Sequence, residues 1–524
     1  MITVKRKILI ALVLLILVCG GLALAVSMTP AKKIPDVSMT VPKKPVVLIV
    51  VDSLMTEPLQ RVMGEGKVPA LSFLMENGDF YPEFISSYPT MSVTIDSSLL
   101  TGTYANEHKV PGLIWFKEDE KRIISYGSGI GEMWSNGIKN VAADSVMHLN
   151  ETHLSKDVQT IHEELANAKL QSASINGLLY RGSIQHELHV PKLLSFVRLL
   201  PKEIEVKGPM LLSLGALSQY NPKNDQNKFS WKRMGINNDF TVNELTYIIK
   251  EQMLPSFTLA YLPDADASIH KNGPEDTKEI EQADQALQEL LNQFTSWEEA
   301  IQNVTWIVLG DSGQSSVKEE KKQALIDLND MLKDYTFWEK GNKNAQLAVA
   351  VNERMAYIYL QDEQIPFSEV VDILKKDERI GFIAWKEQQI NHVVNPKGKE
   401  LTFSPNGPST DEYGQSWQLA GDLSLLDIKE DEQGIIRYQA YPDALARLHG
   451  ALHSQEGKVI IVDAEPSYEF IEKHSHDHAG GGAHGSLHRV DSVVPLIITE
   501  KAVQPPSHRL VDIKEWVLDL VGGS

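Results

Sequence analysis

Runs of β-branched and other apolar residues recur along the chain and predict strands that are buried on both faces. The first run, Val46–Val51, contains only Val, Leu and Ile, and similar runs cover Val304–Leu309, Val459–Val462 and Val493–Thr499. Such runs are typical of parallel strands with helices on both sides. Amphipathic helical patterns lie between them, most clearly at Lys278–Phe294. The alternation predicts an α/β fold with a large, mostly parallel sheet flanked by helices.

More polar and irregular segments, at about 115–250 and 385–445, are predicted to be insertions in one domain that covers 45–524. Ligands of open α/β sheets bind beyond the carboxyl ends of the strands, so we expect these insertions to form a cap over a substrate site. The amphipathic segment Leu510–Val521 predicts a closing helix. The glycines in the histidine-rich segment Glu472–His488 predict a loop.

The N-terminal segment predicts export. Lys5, Arg6 and Lys7 precede Ile8–Val26, an uncharged stretch of 19 residues that is long enough to span a bilayer. The basic flank also fits a secretory signal that is cleaved after Ala25. Residues 1–26 are therefore a signal peptide or a membrane anchor, and the protein is expected outside the cytoplasm, either secreted or tethered to the membrane. The Pro- and Lys-containing residues 27–44 predict a linker.

Composition excludes two classes of protein. The chain has 524 residues with 50 basic and 70 acidic side chains, which gives a net charge of −20. This charge argues against binding to a nucleic-acid polymer, which requires a basic surface. Cys19 is the single cysteine of the chain. It excludes a disulfide framework and a zinc finger built from cysteines.

Two aspartates follow predicted strands and are candidates for a site at one edge of the sheet. Asp52 comes directly after Val46–Val51, and Asp311 follows Val304–Leu309 after one glycine. The carboxyl ends of parallel strands meet at the same edge, so we expect both carboxylates there. The alternative for Asp52 is a helix N-cap.

A hydroxyl-rich segment, Pro89–Gly102, leads into a short predicted helix, and its hydroxyl groups are candidate nucleophiles. A hydroxyl in the first turn of a helix faces unpaired N–H groups, which suits attack on a phosphate bound there. Serine also needs a base or a metal to activate it. The alternative is that these hydroxyls cap the helix or bond back to its backbone.

Acidic and histidine side chains form a candidate metal site. Asp266 and His270 are four residues apart, so that they can share one cation. A carboxylate and an imidazole suit zinc, with manganese or iron as alternatives. His484 lies between two predicted strands and is expected at the same edge of the sheet. The other histidines of its loop are predicted to be solvated, weakly metal-scavenging residues, namely His474, His476 and His478.

The order of these motifs resembles the alkaline phosphatase superfamily and, within it, the type I phosphodiesterase/nucleotide pyrophosphatase family. The shared order is strand-Asp, PTxS before a helix ending in LLTG, DxxxHxxGP, strand-GD and HGS, over residues 45 to about 500. The resemblance implies two divalent metal ions, usually zinc, with manganese as the alternative. It makes Ser92 the nucleophile and a ligand of one metal. The implied metal ligands are Asp52, Ser92 and Asp311 for that metal and Asp266, His270 and His484 for the other.

Three departures from the family pattern affect this interpretation. Ser312 stands where relatives usually carry a histidine, so that one expected imidazole ligand is a hydroxyl. An asparagine that often helps to hold phosphate has no counterpart, because His108–Leu113 occupies its place. Thr94 lies two residues from Ser92 and would become the nucleophile if the alignment were shifted. The first departure weakens one metal site and allows a catalytically impaired protein.

The resemblance predicts an exported, metal-dependent hydrolase that acts on a phosphodiester or pyrophosphate through a phospho-serine intermediate. The expected partner is a small phosphoester, with nucleotides among the candidates. The alternatives are a phosphomonoesterase or phosphotransferase of the same superfamily, or a binding or scaffold protein at the cell surface. A sulfatase is excluded because the Cys/Ser-x-Pro-x-Arg signature is missing. Trp115 and Phe116 either stack on a nucleobase or pack inside the cap, and we favour packing.

Overall fold

The computed structural model describes residues 31–34, 44–127, 137–191, 195, 200–339, 342, 344–501 and 504–522. The predicted signal or anchor, Ile8–Val26, and most of the predicted linker lie outside the described residues. Among the helices in these ranges, none has the length and apolar character that crossing a bilayer requires.

A seven-stranded sheet forms the centre of the first part of the fold. In spatial order its strands are β2 (Asp79–Ile85), β24 (Val493–Ile498), β10 (Thr305–Gly310), β1 (Val46–Val51), β9 (Phe257–Leu262), β5 (Ser172–Ile175) and β8 (Leu211–Ser213). The strands from β10 to β8 are parallel, whereas β24 is antiparallel to both β10 and β2. The predicted α/β fold with a large, mostly parallel sheet is confirmed.

Helices cover both faces of this sheet, as the apolar runs predict. Val46, Leu48 and Val50 face one hydrophobic layer, and the alternate residues of β1 face the other. The first layer contains the helices α3 (Ser92–Thr101), α6 (Ile161–Asn167) and α16 (Ile513–Val521). The second layer contains α1 (Thr56–Gly64), α2 (Pro69–Asn77), α7 (Asn238–Lys250), α9 (Lys278–Leu291) and α10 (Trp297–Asn303).

A second, nine-stranded sheet packs beside the first and is mainly antiparallel. Its order is β13 (Leu347–Asn352), β14 (Met355–Leu360), β21 (Lys458–Ala464), β15 (Ile380–Glu387), β16 (Ile390–Val394), β17 (Glu400–Asp411), β20 (Ile435–Tyr438) and β19 (Ile428–Glu430), with β18 (Ser416–Gly421) also paired to β17. The helices α13 (Phe367–Leu374) and α14 (Ala444–Leu452) cover its two faces.

The sequence did not predict this second sheet, and three segments need correction. The segment 385–445, predicted as a cap insertion, supplies several strands of the second sheet, and the run Val459–Val462 belongs to β21 rather than to the parallel sheet. Helices cover both faces of β21, so its apolar pattern matches that of a parallel strand. The segment 115–250 contributes β5 and β8 to the first sheet, since strands of four and three residues are too short to detect from periodicity.

The remaining described elements are short. Four two-stranded sheets consist of β3 (Ile114–Lys117) with β4 (Arg122–Ser125), β6 (Ile184–His189) with β7 (Glu203–Gly208), β11 (Ser315–Ser316) with β23 (Gly482–Ala483), and β12 (Leu325–Asp327) with β22 (Glu469–Ile471). The short helices are α4 (Ala105–His108), α5 (Ile138–Ala143), α8 (Asp264–Asn272), α11 (Lys321–Ala324), α12 (Leu328–Met331) and α15 (Arg489–Ser492). A π-helical segment covers Asp144–His153, and 3-10 segments cover Gly215–Leu217, Pro222–Asn227, Ser230–Gly235, Leu423–Leu426 and Leu510–Asp512. The predicted closing helix, Leu510–Val521, consists of the 3-10 segment Leu510–Asp512 followed by α16.

A fully buried arginine joins the second sheet to the segments around the edge of the first. Arg447, in α14, donates hydrogen bonds to the backbone oxygens of Pro442 at 2.9 Å, Leu487 at 3.2 Å and Ser87 at 2.9 Å. It also donates to Ser492 Oγ at 2.7 Å. One guanidinium group therefore satisfies four acceptors from separate parts of the chain.

We expect Arg447→Met to lower the free energy of unfolding by about 3 kcal/mol or more, because several buried acceptors lose their donor. Urea denaturation followed by circular dichroism measures this change. Arg437→Met is the matched control, since Arg437 forms its ion pairs at the surface, where they contribute little. Equal denaturation midpoints for the two variants would contradict the structural role of Arg447.

Candidate active site

Three neighbouring strands of the first sheet bring the candidate residues to one edge. Asp311 follows β10, Asp52 follows β1, and Asp266 lies in α8, which begins directly after β9. These strands are adjacent and parallel, in the order β10, β1, β9. The structure therefore brings the three aspartates together beyond the carboxyl ends of the strands, as the sequence predicted.

The predicted group of Asp266, His270 and His484 forms a compact cluster. Asp266 Oδ1 lies 3.0 Å from His270 Nε2 and 3.5 Å from His484 Nε2. The Nδ1 atom of His270 bonds to the backbone oxygen of Gly482 at 2.8 Å, and that of His484 bonds to the backbone oxygen of Thr90. These bonds direct both Nε2 atoms toward Asp266, which is the arrangement found for histidines that bind metals.

Glu353 completes this cluster, although sequence reasoning missed it. Its Oε1 lies 3.6 Å from His270 Nε2 and 3.9 Å from His484 Nε2, and its Oε2 accepts a hydrogen bond from the backbone of His484 at 2.9 Å. Glu353 occupies the tight turn between β13 and β14 with a φ of 57°. No motif marks this turn, and the second sheet that presents it was not predicted.

The position of His478 differs from the prediction for the histidine-rich loop. His474 and His476 are exposed as expected, but His478 is half-buried, and its ring centre lies 4.2 Å from that of His270. Its Nδ1 bonds to Glu469 Oε1 at 2.7 Å. Pairing with this buried carboxylate holds the imidazole against the cluster instead of in solvent.

The charges of this cluster stabilise one another. Burial alone would raise the pKa of Asp266, but His270 and His484 hold it well below its usual value. Burial opposes protonation of His484, yet Glu353 and Asp266 raise its pKa to about 9. Burial likewise opposes protonation of His270, and Asp266 and Glu353 raise its pKa well above the ordinary value. Two imidazoles and two carboxylates fit a divalent cation such as zinc or manganese.

A second cluster surrounds the hydroxyl group of Tyr261, at the end of β9. This hydroxyl lies 3.0 Å from Asp52 Oδ2 and 2.9 Å from Asp311 Oδ2, and the nearby side chain of Ser92 lowers its pKa slightly against the effect of burial. Ser92 is the first residue of α3 and is half-buried. The structure thus brings together the three residues that were predicted to bind the other metal, but with a tyrosine hydroxyl between them.

Burial raises the pKa of both carboxyl groups in this second cluster. For Asp52 the neighbouring Asp311 adds to the effect, whereas for Asp311 the backbone N–H of Ser53 opposes it. Burial and the same two carboxylates also raise the pKa of Tyr261, so the phenol keeps its proton. The residues of this set do not fit a second transition metal, because they include no imidazole and Tyr261 occupies the space between them.

A network of small polar residues links the two clusters. Gln314 Nε2 donates to Asp266 Oδ1 and to Ser53 Oγ, both at 2.9 Å. The backbone N–H groups of Ser53 and Ser312 donate to Asp311 Oδ1 at 2.8 Å and 2.7 Å. These bonds fix the position of the second cluster relative to the first.

The backbone next to His484 requires a glycine. Gly485 has a φ of 109°, and a Cβ atom at this position would lie 2.3 Å from the backbone oxygen of Asn352. Its N–H donates to Thr90 Oγ1 at 2.7 Å. The glycine of the HGS motif therefore allows the histidine loop to approach both the β13–β14 hairpin and the segment before α3.

Trp115 and Phe116 lie in β3 and are buried, with 7% and 2% of their surface exposed. Trp115 packs in the core of the first sheet, and Phe116 packs against Trp338 and Tyr359 of the second part of the fold. Both rings are thus engaged in packing, the role that the sequence analysis favoured over stacking on a nucleobase.

At pH 7, binding of Zn²⁺ to the metal-free protein is expected to release about two protons, because His270 and His484 bind a cation only when neutral. The affinity for the cation should rise with pH until the imidazoles are deprotonated, near pH 9 for His484. Calorimetric titrations in buffers of different ionisation enthalpy measure the released protons. His474→Ala changes an exposed histidine of the same loop and should leave the number of released protons unchanged. If the wild-type protein bound Zn²⁺ without releasing protons, the charges assigned to His270 and His484 would be wrong.

A family model identifies the family of the chain, and solved structures show which proteins share its fold. Residues 46–487 match the family described as type I phosphodiesterase/nucleotide pyrophosphatase. The fold is similar to that of an inactive variant of murine ectonucleotide pyrophosphatase/phosphodiesterase 5 in complex with AMP, with a TM-score of 0.54, 14% sequence identity, and coverage of 92% of this chain and 95% of that chain.

Two further structures of the same relative are similar as well. The murine protein gives a TM-score of 0.53 and the human protein one of 0.54, each with 14% identity and with coverage of 91% of this chain and 95% of the other. None of the curated protein sequences compared with the chain matches it significantly. The family match covers most of the chain, and this chain therefore belongs to the type I phosphodiesterase/nucleotide pyrophosphatase family.

Proposed function

We propose that this protein is a metal-dependent phosphoric ester hydrolase that acts through a phospho-serine intermediate at Ser92. The observation that carries the proposal is the position of Ser92 at the first turn of α3. There its side chain lies near the Tyr261 hydroxyl, which is itself bonded to the buried carboxylates of Asp52 and Asp311. The cluster of Asp266, His270, His484 and Glu353 lies on the other side of Gln314. Membership of the family supports hydrolase chemistry of this type.

In the first step, Ser92 Oγ attacks phosphorus, an Oγ–P bond forms, and the bond to the leaving oxygen breaks. The proton of Ser92 passes through the Tyr261 hydroxyl toward Oδ2 of Asp52 or Asp311, the two atoms to which that hydroxyl is bonded. Since burial raises the pKa of both carboxyl groups, they accept a proton more readily than exposed carboxylates do. Water then hydrolyses the phospho-serine ester and regenerates the hydroxyl.

The cluster around Asp266 is the proposed metal centre. Asp266, His270 and His484 would hold the cation, with Glu353 beside the two imidazoles, and the cation would supply positive charge for the non-bridging phosphoryl oxygens when it is bound. His478 positions His270 by stacking against it. The N-terminus of α3 contributes unpaired backbone N–H groups beside the same phosphoryl group.

A nucleotide-type phosphodiester or pyrophosphate is the proposed substrate. The support comes from the family and from the murine relative, whose structure was determined in complex with AMP. The phosphomonoesterase, phosphotransferase and scaffold alternatives differ from this proposal in measurable ways. Faster turnover of a monoester than of a diester would favour a phosphomonoesterase, and transfer of the phosphoryl group to an alcohol would favour a phosphotransferase. The absence of turnover with either ester would favour a scaffold protein.

Activity outside the cytoplasm is part of the proposal and is supported by sequence alone. Three basic residues precede the uncharged segment Ile8–Val26, which suits a signal peptide or a membrane anchor. Fractionation of cells that produce the full chain, followed by mass spectrometry of its N-terminus, distinguishes a cleaved signal from a retained anchor.

Ser92→Ala is expected to lower the rate of hydrolysis of a bis(nitrophenyl) phosphodiester by about 10³-fold or more, because no other hydroxyl replaces the nucleophile. The bound metal should be unchanged, since the cluster around Asp266 does not include Ser92. Absorbance of released nitrophenol measures the rate, and elemental analysis measures the metal.

Thr94→Val is the matched control for the neighbouring hydroxyl. Thr94 is fully buried in α3, and in the described part of the chain its Oγ1 has no hydrogen-bond partner. Valine has nearly the same shape, so this variant should fold and retain activity. Full activity of Ser92→Ala together with loss of activity in Thr94→Val would assign the nucleophile to Thr94 instead.

A further inference from the structure

The hydroxyl group of Tyr261 contacts the residues that a second cation would need as ligands. It lies 3.0 Å from Asp52 Oδ2 and 2.9 Å from Asp311 Oδ2. A cation that binds these two oxygens would have to sit between them, at about 2.0–2.2 Å from each. The phenol oxygen, which contacts both carboxylates, occupies the same space.

The other described groups near Asp52 and Asp311 also form hydrogen bonds there and provide no further ligand for a cation. Asp311 Oδ1 accepts bonds from the backbone N–H groups of Ser53 and Ser312, and Asp311 Oδ2 accepts one from the Tyr261 hydroxyl. Ser312, at the position where an imidazole ligand was expected, is completely buried. Among the residues that the structure describes, no histidine forms a hydrogen bond or an ion pair with Asp52 or Asp311.

The first cluster, in contrast, has a full set of donors for one cation. Asp266, His270 and His484 lie close enough together to bind a single ion, and Glu353 Oε1 lies 3.6 Å and 3.9 Å from the two imidazole Nε2 atoms. Three protein ligands with an open fourth position are the usual set of a catalytic zinc ion. The two clusters at this edge of the sheet therefore differ: the cluster around Asp266 has the ligands for a cation, whereas the Tyr261 hydroxyl occupies the space between Asp52 and Asp311.

We propose that the protein binds one divalent cation, at Asp266, His270 and His484 beside Glu353, and that the Tyr261 hydroxyl takes the place of the second. Tyr261 then bonds to Asp52 and Asp311 in place of a cation and, in the proposed reaction, relays the proton of Ser92 to them. The inference rests on the proposed function only in placing a cation at the first cluster.

The number of bound cations tests this inference directly. The purified full-length protein, dialysed against Zn²⁺ and then against metal-free buffer, should retain one zinc ion per chain by elemental analysis. Asp266→Asn should lose this ion, whereas Asp52→Asn and Asp311→Asn should keep it. Circular dichroism spectra confirm that each variant is folded. Two ions in the wild-type protein, or loss of the single ion in folded Asp52→Asn, would overturn the inference.

A gain of binding provides the complementary test. The double variant Tyr261→Phe with Ser312→His removes the phenol oxygen and restores an imidazole, and it should bind two zinc ions per chain. The matched control combines Ser312→His with Tyr220→Phe, a buried tyrosine beside β8, and it should still bind one. A double variant at Tyr261 that binds only one ion would overturn the role assigned to this hydroxyl.

The outcomes also separate this inference from the proposed function. Two ions per chain with phosphodiester hydrolysis intact would reject the single-cation centre and leave the hydrolase standing. One ion per chain without any hydrolysis would support the single-cation centre and reject the hydrolase. A protein that retains no zinc would reject the centre itself.

Discussion

The close approach of four carboxylates at one edge of a sheet is the constraint on which the rest of the structure depends. Asp52, Asp311, Asp266 and Glu353 converge there, and like charges at such distances repel strongly unless they are compensated. The protein compensates the two pairs differently. Asp266 and Glu353 face imidazoles, whereas Asp52 and Asp311 share the hydroxyl of Tyr261 and, in the case of Asp311, receive backbone N–H groups. The chemistry of each cluster follows from its type of compensation.

Neither sheet builds the site alone. The parallel sheet supplies the aspartates and Tyr261 at the ends of β1, β9 and β10, while the antiparallel sheet supplies Glu353 from its first hairpin. The loop that carries His484 is held between them by bonds to Thr90 on one side and to Glu353 and Arg354 on the other. The proposed metal site therefore lies where the two sheets meet, and its geometry depends on their packing.

The sequence predicts those parts of the structure that local patterns encode. The buried strands β1, β10 and β24, the helix α9, and the approach of Asp52 and Asp311 follow from apolar runs and from the rule that ligands bind at the carboxyl ends of parallel strands. The family resemblance added Asp266 and His484 to the same site. The second sheet was missed because its central strands, such as β21, are buried on both faces and so match the pattern of the parallel sheet, and because β21 pairs with strands far away in the sequence. Glu353, Tyr261 and the partner of His478 were missed because their roles depend on contacts between distant elements, for which a single sequence gives no periodic signal.

The turn that carries Glu353 constrains chain length as well as residue type. Only Glu353 and Arg354 connect β13 to β14, and both are held in place, because the backbone oxygen of Glu353 accepts a bond from Phe470 and the Arg354 side chain pairs with Asp491. One inserted residue would displace the carboxylate by up to about 3.8 Å, the spacing of consecutive Cα atoms. Relatives that share the Asp266, His270 and His484 set should therefore tolerate insertions at the exposed loops of this sheet, but not in this hairpin.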